Sequence, residues 1–77
     1  MIKNLNKNIK IKKISVILPT LNEFNNIQLI YDELLLELTK LDLLFEIIFI
    51  DDNSSDGTID KIKSLSLSDE NVKYLIM

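Results

Sequence analysis

The 77-residue chain contains no cysteine and no histidine. The first absence removes disulfides, thiolate nucleophiles and zinc–sulfur sites, and fits a reducing compartment. The second removes the usual general base near neutral pH and the commonest nitrogen ligand for a metal. Chemistry is left to carboxylates, hydroxyls, lysines and backbone groups, and any metal would be a hard, oxygen-seeking ion such as magnesium or manganese. Arginine and alanine are missing too, while Lys, Asn, Ile and Leu dominate. That bias resembles the coding habit of an AT-rich genome, which discounts Lys/Asn richness as a functional signal. No run is long enough to cross a membrane, since "LLLEL" and "LLFEIIFI" are short and interrupted by glutamate. The lysine-rich start is not followed by an apolar h-region, so no signal peptide is expected.

What is present describes one small domain. A hydrophobic content of 47% is ordinary for a globular protein. A chain of this length buries only about 60% of the surface its unfolded form exposes. Charge is unevenly placed: residues 1–13 carry +5 and residues 14–77 carry −8, giving the net −3. The expectation is a basic, flexible N-terminal arm over residues 1–12 and a folded unit over residues 13–77. The arm is read either as a solvated terminus or as a contact for phosphates or anionic lipid at a membrane periphery.

Along the chain, "ISVIL" (Ile14–Leu18) is a short β-branched run stopped by the single proline, Pro19. It reads as a strand buried on both faces. In "NNIQLIYDELLLELTKL", Ile27, Ile30, Leu34, Leu38 and Leu41 recur at helical spacing, with Asn25 and Gln28 as a variant capping box. Leu29, Leu35 and Leu36 widen that stripe, predicting a helix packed on more than one neighbour. "FEIIFI" is a second strand, stopped by Asp51 and Asp52. The single glycine, Gly57, then introduces a shorter helix with Ile59, Ile62 and Leu65 on one face; Leu67–Asn71 reads as a loop and "VKYLIM" as a third strand. Strand, helix, strand, helix, strand predicts an α/β fold, a parallel-sheet, Rossmann-like half with right-handed crossovers. Such sheets bind ligands beyond the carboxyl ends of their strands. Pro19, the Asp51–Asp52 pair and Gly57 all lie just past predicted strand ends.

The carboxylate turn "DDNSSDGT" (Asp51–Thr58) admits several readings. Asp52, Ser54, Asp56 and Gly57 match the opening of an EF-hand calcium loop. Lys63, however, stands where the bidentate glutamate belongs, and the loop follows a strand rather than a helix. A phospho-acceptor domain would have its acidic pair after the first strand, where this chain has Pro-Thr-Leu-Asn. A third reading is nucleotide recognition, with one carboxylate accepting from the ring N–H of uracil or from two donors on guanine. The remaining reading is structural, both aspartates capping the turn and the second helix. From these residues alone the last two stay open. Similarly, Glu23 serves either a site or the N-terminal dipole of the first helix, and Asn22 either a site or a turn.

"ISVILPTLNE", "NNI" and "FEIIFIDDNSSDGT", in this order and spacing, resemble the N-terminal part of glycosyltransferase family 2, the inverting enzymes of the GT-A fold. "DDNSSDGT" is most similar to polyprenyl- or dolichyl-phosphate mannose or glucose synthases. The resemblance implies a nucleotide-binding stretch formed by Pro19, Thr20, Leu21, Asn22, Glu23, Asp51, Asp52 and Gly57. Within it Asp52 would hold the base, Asp51 would support the turn and Gly57 would permit its geometry. Leu21 departs from the pattern, which usually has an aromatic residue there, so base preference is not implied. The family's D-x-D motif, which holds Mg2+ or Mn2+ on the donor diphosphate, and its catalytic base do not occur in this sequence. The expectation is therefore the first third or so of a glycosyltransferase domain, from a truncated gene or a partial sequence, inactive alone. It would bind a UDP- or GDP-linked sugar, with a polyprenyl phosphate, lipid or glycan as acceptor in the complete enzyme and no nucleic-acid partner. The expected location is the cytoplasm or the cytoplasmic face of a membrane. The alternatives are a non-catalytic nucleotide-binding or interaction module, and an inert pseudogene product.

Overall fold

The computed structural model describes residues 13–77; the expected basic arm at 1–12 lies outside them. Strand β1 (Lys13–Thr20) leads to helix α1 (Phe24–Thr39), strand β2 (Leu44–Asp51), helix α2 (Thr58–Ser68) and strand β3 (Val72–Ile76). The strands form one parallel sheet in the order β1-β2-β3, with Thr20 beside Asp51 and Asp51 beside Ile76 at the carboxyl edge. The α/β class and parallel β-α-β-α-β order match the expectation from sequence.

The first strand differs from it. Side chains along β1 alternate, with Ile14, Val16 and Leu18 half-buried and packed on the core while Ile17 is 58% exposed. The cause is topological. Both crossovers step the same way across the sheet, so right-handedness puts both helices on one face. The core is accordingly one-sided: Ile27 and Leu38 of α1, Ile62 and Leu65 of α2, and Ile47, Phe49 and Val72 of the sheet. Burying each of the larger of these side chains contributes about 1.5–3 kcal/mol. Apolar residues such as Ile17 and Leu75 lie on the other face and remain more than half exposed.

That other face carries one polar ladder across all three strands. The Glu46 carboxylate accepts a hydrogen bond from the Ser15 hydroxyl and pairs with Lys73 at 2.9 Å and Lys13 at 3.6 Å. The hydrogen bonds from Ser15 and then Lys73 hold its pKa down at about 2. The ladder joins positions 15, 46 and 73, and favours this strand register over a one-residue slip, which would separate the charges.

The helix ends also depart from the sequence reading. The Asn25–Gln28 capping box does not form: Glu23 takes the N-cap position without a side-chain cap, and Gln28 instead donates to Asp32 at 2.9 Å. Helix α1 ends at Thr39 and Asp42 follows at φ 52°, so Leu41 falls outside the helix and is half exposed. The widened stripe does not find several neighbours, because Leu29 and Leu36 are 56% and 60% exposed. Helix α2 continues to Ser68, past the predicted loop start at Leu67, whose side chain is simply solvated. Tyr31 ties the helices together by donating to Asp69 at 2.6 Å. Burial, then the hydrogen bond and charge of Asp69, push its phenol up to about 12, so it stays a donor.

Candidate functional site

Two loops meet at the carboxyl edge, because parallel pairing sets the end of β1 against the end of β2. The first, Leu21–Glu23, joins β1 to α1; the second, Asp52–Gly57, joins β2 to α2. Each contains an asparagine in the left-handed region, Asn22 at φ 52° and Asn53 at φ 59°. Asparagine tolerates that conformation better than any other residue with a large side chain except aspartate. Gly57 sits at φ 98°, and a Cβ there would lie 3.2 Å from the Phe24 ring.

The adjacent aspartates have separate surroundings. Asp51 is fully buried. Its Oδ1 accepts from the Thr20 hydroxyl and the Ser54 hydroxyl, and its Oδ2 from the Ser54 N–H, all at 2.7 Å. Burial acts to raise its pKa, but these hydrogen bonds outweigh it and leave the carboxyl below its ordinary value. Asp52 faces the opposite way. It is exposed, and its carboxylate makes no hydrogen bond among the described residues. Period-two alternation explains the split: one aspartate turns under the helices and its neighbour toward solvent.

A cavity of about 520 Å³ opens at this edge, lined by Pro19, Thr20, Leu21, Glu23, Ile50, Asp52 and Met77. Five of the eight residues singled out from sequence therefore line one hollow. Asn22, Asp51 and Gly57 are not among its lining residues; they shape the loops around it. Ile50 and Met77 were not anticipated. Ile50 is the residue before the buried Asp51, so strand alternation turns it to the Asp52 side.

The lining has a definite chemical character. Pro19, Leu21, Ile50 and Met77 offer apolar surface, with Leu21 53% exposed. Glu23 and Asp52 add two carboxylates, and no lysine lies among the lining residues. Such a hollow attracts a flat, partly apolar group that carries N–H or O–H donors, and disfavours a bare phosphate. Among the described residues no group of three or more Asp, Glu, His or Cys gathers as metal donors. Also among the described residues, no helix is long and apolar enough to cross a membrane.

The sequence profile of glycosyl transferase family 2 matches residues 15–77. Over 62 residues, 80% of the chain, the sequence is 40% identical to "Putative glycosyltransferase CsbB" of Bacillus subtilis (strain 168). The matched stretch covers 19% of that protein's length.

Proposed function

Because the chain belongs to glycosyl transferase family 2, we propose that its carboxyl-edge cavity receives the base of a nucleotide-sugar donor. The observation that carries this reading is the asymmetry of the two aspartates. Asp51 has both oxygens engaged by protein donors, whereas Asp52 stands exposed in the cavity lining with acceptor capacity to spare. A carboxylate in that state suits the ring N–H of uracil or the paired donors of guanine. Leu21, Pro19 and Met77 would cover the faces of the ring, and Glu23 would accept from a hydroxyl or a second N–H. The donor is thus a UDP- or GDP-linked sugar.

The diphosphate and sugar would lie away from this acidic hollow, toward residues of a longer enzyme. There we also place the Mg2+ or Mn2+ and the catalytic base, since the family's D-x-D motif does not occur in this sequence. The complete enzyme would transfer the sugar to a polyprenyl phosphate, lipid or glycan. The similarity of "DDNSSDGT" to the polyprenyl-phosphate mannose or glucose synthases favours the first of these. A cytoplasmic location, with or without peripheral attachment to a membrane through the lysine-rich start, accompanies this reading.

Titration of the 15N-labelled chain with UDP and with GDP tests the binding step. The reading expects amide shifts at Leu21, Glu23 and Asp52, while Leu44 and Asn71 at the far edge of the sheet stay still. Shifts spread evenly over both edges, or none for either nucleotide, would overturn it.

A further inference from the structure

Three consecutive backbone N–H groups at the start of α1 are engaged by side chains of the other loop and of Thr58, the first residue of α2. Asn22 N–H donates to the Ser54 hydroxyl oxygen at 2.8 Å, Glu23 N–H to the Thr58 hydroxyl oxygen at 2.9 Å, and Phe24 N–H to Asp56 Oδ2 at 3.3 Å. In return, Ser55 N–H donates to Asn22 Oδ1 at 3.0 Å. Behind them Ser54 donates to the buried Asp51, and Thr58 donates to Asp56 Oδ1. The Thr58 N–H, which opens α2, also donates to Asp56 Oδ1, at 3.0 Å. One carboxylate thus serves the first turns of both helices, and its hydrogen bonds, led by Thr58, hold its pKa below the ordinary value.

We infer that Asn22, Ser54, Asp56 and Thr58 form an inter-loop clasp that positions Leu21, Glu23 and Asp52 for the ligand without touching it. This rests on the nucleotide-binding reading above. Two consequences follow from the geometry. First, the Asn22, Glu23 and Phe24 amides are already used, so these three are not available to a phosphate, although a helix start beside a parallel sheet often binds one. The ligand's anionic end is thereby turned away from this loop, in keeping with the acidic cavity. Second, the clasp accounts for three residues of "DDNSSDGT" that do not line the cavity. Ser54, Asp56 and Thr58 fix the separation of Asp52 from Leu21 and Glu23, which sit on the opposite loop. A binding site whose halves are held before the ligand arrives avoids the ordering cost of assembling them.

Calorimetric titration of the 77-residue chain with UDP and GDP, well below the melting temperature, tests the clasp. The variants are Ser54→Ala, Ser54→Thr and Asn22→Gly; glycine keeps the positive φ while removing the amide that Ser55 uses. Ser54→Ala and Asn22→Gly should each weaken both nucleotides alike, by roughly two- to ten-fold, the worth of one hydrogen bond. Ser54→Thr retains the hydroxyl and should restore affinity to within about two-fold. Hydrogen exchange at the Asn22 and Ser55 amides should quicken in the two weakened variants and not in Ser54→Thr. If Ser54→Ala does not fold, Asn22→Gly carries the test. Unchanged affinity in the loss variants, with tight binding by the parent chain, overturns the clasp and leaves the nucleotide site standing. A parent chain that binds neither nucleotide overturns both.

Discussion

Replacing Asp51 by asparagine should lower stability far more than replacing its neighbour does. The Asp51 carboxylate accepts three hydrogen bonds at 2.7 Å with no exposure to solvent. An amide at that position offers one acceptor oxygen and turns an N–H2 toward groups that now donate. A hydrogen bond to a charged group contributes about 1.5–3 kcal/mol against about 0.5–1.5 kcal/mol for a neutral one. Three weakened bonds therefore amount to about 3 kcal/mol, from which relief of burying a charge removes a part. The net expectation is a loss of about 2 kcal/mol, or a fall in Tm of roughly 8–16 °C for a domain of this size. Asp52→Asn, at an exposed position with no side-chain partner among the described residues, should stay within about 0.5 kcal/mol of the parent. Melting followed by circular dichroism at pH 7 measures both. Equal Tm values for the two variants, or a larger fall for Asp52→Asn, would refute the assignment of Asp51 as the buried support.

Gly57→Ala should cost about 1–2 kcal/mol from the left-handed backbone alone, with the Phe24 ring displaced besides, and a lower Tm would show it. Glu46 has its pKa lowered from 4.5 to about 2, so its stabilising contribution is fully present above the upper value and is lost as pH falls toward the lower. Tm of the parent should therefore drop on acidification through that window, and Glu46→Gln should flatten part of the drop; parallel curves for the two proteins would contradict the ladder. Finally, the 77-residue chain should transfer no sugar from UDP- or GDP-linked donors with or without manganese, and turnover abolished by Asp52→Ala would refute that expectation.

The order of elements was legible because β-branched runs and 3.6-residue spacing are local properties. Which face each run buries was not. Ile17, Ile48 and Leu75 look in one dimension like core residues, and only the two same-handed crossovers reveal that, among the described residues, their side of the sheet has no helix upon it. The capping box failed for a related reason: the donors at the start of α1 are met by residues more than thirty positions away, beyond any local pattern. At the site, the rule that ligands gather at the carboxyl ends of parallel strands drew attention to the edge where the two loops and the cavity lie. The separate surroundings of Asp51 and Asp52 follow from strand alternation, which sequence supplies once one of them is known to be buried. The clasp was hidden, since it needs the Thr20–Asp51 register that sets the two loops side by side.

The central claim is that Asp52 holds the base, and isothermal titration of UDP and GDP into the parent chain and Asp52→Asn tests it most directly. Loss of a charge-assisted hydrogen bond should weaken binding by about 1.5–3 kcal/mol, roughly ten- to a hundred-fold. The loss should differ between the two nucleotides, because uracil and guanine present different donors while their ribose and phosphates are alike. Unchanged binding by Asp52→Asn, or equal losses for UDP and GDP, would contradict the account.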